Sequence, residues 1–245
     1  MHYLKKLLLS LVLSFCLGLF CSSQSLLIPF REGNLWGYAD TNGVIQIKPA
    51  FDKANFFNFS KSHAEVFKDG KLSLIDTKGN LLFPFSDSYE LYADSYIVKQ
   101  ENKKAIYTRQ GKQLHAFEYT ELNCSCYYKQ YRDEAGKMIG KKNGKYYLVD
   151  LNSSEAKEIA KPVDSRTSIS GEVLAEAPVD GADLTSIPYP QLQSRDFPKL
   201  NGYANLVHCE TIYMNQKPVF YVFCAWKNGR KAGYVGQNGV IFYKD

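Results

Sequence analysis

The chain is poor in the residues that carry most enzyme chemistry. It has four histidines in 245 residues, and only His63, His115 and His208 lie beyond the first 23 positions. None of them stands near a candidate nucleophile in sequence. The zinc-protease pattern H-E-x-x-H, the nucleophile elbow G-x-S-x-G and a phosphate-cradling glycine loop are all missing. No cofactor is implied. Charge excludes another class: 30 basic residues against 25 acidic ones are scattered without a basic stripe, which gives nucleic-acid binding no support. After residue 20 no second long apolar run follows, so no transmembrane helix is expected once the leader is removed. The strand-like segments are too short and irregular for the ~10-residue alternating spans of a membrane barrel.

The leader itself has the layout of a signal peptide. Lys5 and Lys6 precede an uncharged apolar run from Leu7 to Phe20, and Cys21, Ser22 and Ser23 follow. Residues 1–23 are therefore expected to direct export and be removed. The apolar run is short of the ~20 residues a membrane span needs, although a short anchor is an alternative. Lipid attachment at Cys21 is another, with the large Phe20 against it. The mature chain would be periplasmic, cell-surface or secreted, with a net charge of +3 after loss of the two lysines.

Beyond the leader the chain is rich in Tyr (18) and Phe (15), with glycine recurring at turn-like positions. Aromatic side chains fit a half-buried pleated sheet. A register repeats. Counting Leu35 as zero, Asp40 falls at +5 and Gly43 at +8. Lys71 opens a second copy with Asp76 and Gly79, and Lys103 a third with Thr108 and Gly111. Lys145 opens a fourth with Asp150 but Ser153 in place of glycine, and Lys231 a fifth with Gly236 and Gly239. Recurrence at 32 to 42 residues, with one double-length gap of 86, marks an array of supersecondary units. The residues just before position zero (Asn34, Gly70, Asn102, Gly144 and Arg230) mostly suit a hairpin turn. Each aspartate at +5 can bond its turn backbone. Calcium binding by Asp40, Asp76 and Asp150 is the competing role. Each unit reads as strand, tight turn, strand, tight turn, strand.

The first copy, "NLWGYADTNGVIQIKPAFDKANFFNFSKSHAEVFKDGK", resembles the WG (KWG) repeat of bacterial proteins. Trp36, Gly37, Tyr38, Asp40, Gly43, Pro49, Phe51 and Asp52 carry the resemblance, and the last copy retains Gly233 and Tyr234. The second copy has Leu72 and Ser73 where the pattern has Trp-Gly. The resemblance implies architecture: an all-β array of hairpin or meander repeats, stacked as an open solenoid-like or closed propeller-like assembly, with a long irregular insertion. Family members are often exported and mostly lack an assigned activity. Trp36 is expected to be buried against its neighbour.

The expected organisation is residues 24–114 as N-terminal repeats, 115–152 as a degenerate β repeat, 153–200 as a proline-rich insertion, and 201–245 as a C-terminal hairpin and repeat. The insertion holds five of nine prolines, and a short helix is expected near Ser154 to Ala160. A hidden copy is expected near residue 190 in "SRDFPKLNGYANLV". Near the end, "LVHCETIYMNQKPVFYVFCAW" reads as a hairpin around Gln216-Lys217. That register sets Cys209 opposite Cys224, within reach of a disulfide. It leaves Cys124 and Cys126 to each other. The alternatives are both bonded across to the later pair, free structural thiols, or a zinc site of Cys124, Cys126, His208 and Cys209, which lacks the usual C-x₂₋₄-C spacing.

Two functions are compatible with these features. One is a non-enzymatic binding or structural module for an unidentified protein or glycan at the envelope. Phe56, Phe57, Phe59, Tyr89, Tyr92 and Tyr96 are its candidate stacking residues, with closure of the cores between units as their other role. The second is a hydrolase of an envelope polysaccharide or peptide with its site on the insertion. That needs two carboxylates about 5–10 Å apart; Glu172 with Glu176 lies on the insertion, and Asp133 with Glu134 is an acidic pair outside it.

Overall fold

The structure is a computed structural model that describes residues 26–57, 62–163, 192–203 and 206–245. It is all-β, built from five small antiparallel sheets. The leader, Phe59, and residues 164–191 of the insertion, with Glu172 and Glu176, lie outside the described residues.

The first sheet contains β1 (Ile28–Glu32), β2 (Leu35–Ala39) and β3 (Ile45–Phe51). The second contains β4 (Lys53–Ala54), β5 (His63–Lys68) and β6 (Lys71–Asp76); the third β7 (Ser88–Tyr92), β8 (Ser95–Gln100), β9 (Lys103–Thr108) and β10 (Gln113–Tyr119). The fourth is β11 (Glu121–Cys124), β12 (Lys137–Lys142), β13 (Lys145–Asp150) and β14 (Ala156–Ile159). The fifth is β15 (Val207–Met214), β16 (Lys217–Lys227) and β17 (Arg230–Gly236), and the short β18 (Tyr243–Lys244) returns to pair in parallel with β1.

Each of the five sequence copies supplies one strand to one sheet: β2, β6, β9, β13 and β17. Each of these strands is entered through a two-residue hairpin loop, as the pairs Glu32 with Leu35, Lys68 with Lys71, Gln100 with Lys103, Lys142 with Lys145 and Lys227 with Arg230 show. Asn143-Gly144 takes positive φ at both residues, as the favoured twist of such hairpins requires. In the first and third copies the positive φ falls on Gly33 and Glu101 rather than on Asn34 and Asn102, because it is the first loop residue that turns back. In the last copy Asn228-Gly229 makes the turn and Arg230 already lies in β17.

The sheets stack through shared interiors. Tyr38 and Phe51 of the first sheet pack with Ala54, Ala64, Val66 and Ile75 of the second. Leu74 and Phe83 join Tyr96, Val98 and Tyr107 of the third. Ile97, Ile106 and Tyr119 meet Leu122, Met138 and Val149 of the fourth. The Lys71 and Lys103 segments are thus strands with one common core. At the other end, Ile28, Phe30 and Ala39 share a core with Phe220, Val222, Tyr234 and Phe242, so the first and fifth sheets meet although they lie at opposite ends of the chain. Among the described residues no core cluster joins the fourth and fifth sheets.

Several expectations are corrected. The third sheet reaches Tyr119, past the expected break at 114, because β10 completes its edge. Residues Ala156–Ile159 form an edge strand on β13 rather than a helix; pairing with an open sheet edge overrides a weak local helical preference. The segment "SRDFPKLNGYANLV" makes two 3-10 turns, Ser194–Asp196 and Pro198–Leu200, in place of a repeat strand. Pro198 sets the start of the second turn and Leu200 anchors it in the fifth-sheet core. The C-terminal hairpin turns at Asn215-Gln216, both at positive φ, one residue earlier than the sequence register suggests.

Candidate functional site

The repeat residues act on the backbone. Asp40 Oδ1 accepts from the backbone N–H groups of Asn42 and Val44. Asp76 Oδ1 accepts from Lys78 and Asn80, and Asp150 Oδ1 from Asn152 and Ser153. Thr108 Oγ1 accepts from Lys112. In the last copy, where Gly236 has no side chain, Asn238 Oδ1 accepts from Val240 instead. The glycine at +8 then closes the turn: Gly43, Gly79, Gly111 and Gly239 have φ between 81° and 85°, and each donates to the carbonyl three residues back. The aspartates are thereby committed to turns. Burial alone would raise the Asp76 pKa, but its bonds from Asn80 and Lys78 prevail and hold it below the usual value. Among the described residues no group of three or more His, Cys, Asp or Glu side chains could hold a metal ion.

Where glycine stands at +2, a neighbouring segment lies close against it. A Cβ on Gly37 would stand 2.3 Å from the Ile47 carbonyl oxygen and 2.6 Å from the Pro49 nitrogen, both backbone atoms. A Cβ on Gly233 would meet the Tyr243 ring. Ser73 takes this place in the second copy, and its hydroxyl donates to the Phe83 carbonyl at 2.6 Å. Loss of Trp-Gly there is therefore compensated by one buried hydrogen bond. Trp36 is half-buried rather than enclosed, its ring edge-on to Tyr234 at 5.8 Å; the enclosed side chain of the motif is Tyr38, whose hydroxyl donates to the Asn55 carbonyl.

The candidate stacking aromatics stand in the seams between sheets. Phe56 lies against Tyr234, and Phe57 against Tyr38. Tyr89 and Tyr96 contact each other and Phe83. The Tyr89 hydroxyl donates to Glu65 at 3.3 Å, and burial followed by the Glu65 charge pushes its pKa up to about 12. The Tyr92 hydroxyl donates to Cys124 Sγ. These rings are occupied by packing. Trp36 is half-buried like Phe56, Phe57, Tyr89 and Tyr92, and the exposed aromatic side chains among the described residues include Tyr127, Tyr203 and Trp226.

The cysteines form two pairs at disulfide distance, Cys209 with Cys224 (Cα–Cα 5.5 Å) and Cys124 with Cys126 (5.2 Å). This replaces both the crossed pairing and the zinc arrangement. The route to Cys209–Cys224 differs from the register expected. Val207, not Cys209, pairs with Cys224, and a register shift between His208 and Glu210 brings Cys209 into reach. Of the candidate acidic pairs, Glu134 is held by Lys137 at 2.8 Å, and Asp133 is exposed beside it.

One pocket combines charge with an aromatic wall. It lies between the β1–β2 and β16–β17 hairpin turns, where the first and fifth sheets meet. Its volume is about 660 Å³, and it is lined by Arg31, Trp36, Lys227, Arg230, Lys231 and Asp245, with the Asn34 and Asn228 amides and Ala232. Arg31 is fixed by the Ala232 and Gly33 carbonyls and by Asp245 Oδ1. Asp245 also receives Lys227 at 2.7 Å, and Lys227, then Arg31, holds its pKa low. The Lys231 ammonium lies over the Tyr234 ring, 2.7 Å from its hydroxyl; burial and then Lys53 lower its pKa. Sequence reading missed this group because its members come from residues 31–36 and 227–245. The one available signal was that both stretches hold the same place in their copies.

The chain matches no protein-family model, no curated protein and no solved structure.

Proposed function

We propose that this chain is an exported, non-enzymatic WG-repeat protein: a stacked β-sheet array in which the fifth sheet packs back on the first, serving as a binding or structural module at the cell envelope or outside the cell. The observation that carries this reading is the use made of the repeat residues. Asp40, Asp76, Thr108 and Asp150 cap turns, the glycines at +8 close them, and the apolar positions fill cores shared by successive sheets. Motif residues engaged in shaping each turn, with apolar positions filling the cores between units, make a scaffold, and repeat arrays offer extended surfaces for partners. Two cysteine pairs at disulfide distance suit an oxidising compartment, and no helix among the described residues is long and apolar enough to cross a membrane.

The test is expression of the full chain in a bacterial host with cell fractionation, followed by incubation of the exported product with envelope polysaccharides and peptides. Leader removal, recovery outside the cytoplasm, and binding without release of new chain ends support the reading. Retention in the cytoplasm, or turnover of a polymer, overturns it; turnover favours a hydrolase.

A further inference from the structure

We propose that the pocket between the β1–β2 and β16–β17 turns binds an acidic saccharide, one whose sugars carry carboxylate or phosphate groups. This rests on the reading of the chain as a binding module and names the chemistry of one site on it.

The charge balance of the lining is the first support. Four cations, Arg31, Lys227, Arg230 and Lys231, face one side-chain carboxylate, Asp245. That carboxylate is already shared by Arg31 at 2.6 Å and Lys227 at 2.7 Å. Arg230 and Lys231 have no carboxylate within salt-bridge distance among the described residues. Lys53 adds to the positive field at Lys231. A concave surface with one sign of charge concentrates ligands of the other sign. The geometry of Arg and Lys donors matches carboxylate or phosphate oxygens.

The rest of the lining argues for a sugar. Trp36 forms an apolar wall: its edge is packed on Tyr234, while the residue stays partly open to the pocket. A flat indole matches the C–H face of a pyranose. Asn34 and Asn228 offer amide donors and acceptors for hydroxyls, which a bare anion would not use. The volume falls in the usual range for small-ligand sites. The site is held from both ends of the chain: Arg31 is clamped to the Ala232 carbonyl, so it forms only when the two sheets meet.

The test uses the full exported chain carrying Trp226→Phe, which leaves Trp36 as the single tryptophan reporter. Tetragalacturonate, a sugar phosphate, inorganic phosphate, neutral maltotetraose and tetraglutamate are titrated by fluorescence and calorimetry at low and high salt. The expected result is binding of tetragalacturonate or the sugar phosphate with a change in Trp36 emission. Maltotetraose should be inert, and inorganic phosphate weaker. Affinity should fall with salt, since exposed charges are screened. Arg230→Ser with Lys231→Ser should lose about tenfold or more, the value of one charge-assisted bond. Asp245→Asn should bind at least as tightly, because a competing carboxylate is gone. Unchanged melting curves would show that the variants fold. Binding of maltotetraose as tight as tetragalacturonate, preference for tetraglutamate, or indifference to the Arg230/Lys231 change would overturn the proposal. Failure of every acidic sugar, alongside binding of another envelope polymer elsewhere, would remove this site but leave the module; release of reducing ends would remove the module reading instead.

Discussion

Arg31 pairs with Tyr243 across a parallel bridge, although one residue lies in the first strand and the other in the last. The pairing brings Phe242 into the interior that the first and fifth sheets share, where it is fully buried with Ile28, Phe30 and Val222. This contact joins the fifth sheet to the first, so that residues from distant parts of the chain support one interior.

Phe242→Ala should therefore weaken the whole first sheet, not just the terminus. Truncating a buried phenylalanine costs about 3–5 kcal/mol, read as a lower urea midpoint. Trp36→Ala, which removes a half-buried ring from the same seam, should cost less than Phe242→Ala. A larger loss at Trp36 than at Phe242 would show that the seam depends on the tryptophan and not on the returning strand.

Gly37→Ala should be more damaging than its added methyl suggests. The new atom would meet the backbone of Ile47 and Pro49, which cannot rotate away as a side chain can. Overpacking of this kind costs about 1–3 kcal/mol. Ser73→Ala at the equivalent place should lose about 1 kcal/mol through its hydrogen bond to Phe83. Thermal melts of the two variants check the order; a neutral Gly37→Ala would mean that β3 is free to move aside.

Cys209→Ala and Cys224→Ala should each destabilise the oxidised protein by about 3 kcal/mol, the chain-entropy value for a loop of this length. Adding a reductant to the wild type should bring its midpoint down towards the variants. Digestion without reduction should recover one peptide joining β15 to β16. Recovery of Cys124 linked to Cys209 or Cys224 would contradict the pairing.

His208 packs between the rings of Tyr221 and Phe223, 6.2 and 5.9 Å away. Burial lowers its pKa, only partly opposed by a hydrogen bond at Glu210. The unfolded chain then holds the proton more readily than the folded one. The stabilisation is fully present above the ordinary histidine value of ~6.5 and is lost as pH falls through the lower folded value. Melting temperature should drop as pH falls from ~6.5 towards the lower folded value, and His208→Gln should flatten the drop. An unchanged pH slope in the variant would assign the effect to other groups.

The local code of this protein is legible from its sequence because it is short-ranged. An aspartate followed three residues later by glycine can bond only its own turn, and Asn143-Gly144 can close only its own hairpin. Five copies of this register, two of which (Asp40 with Gly43, Asp76 with Gly79) keep both residues, each contribute one strand to one of five small sheets. What crosses between sheets was not legible. The return of Tyr243 to Arg31, the bulge that carries Cys209 to Cys224, the edge strand Ala156–Ile159, and the pocket shared by Trp36 and Arg230 all depend on residues distant in the chain. Their partners are selected by which apolar faces and open strand edges remain after every hairpin has formed, and that choice belongs to the packed array, not to any single stretch of it.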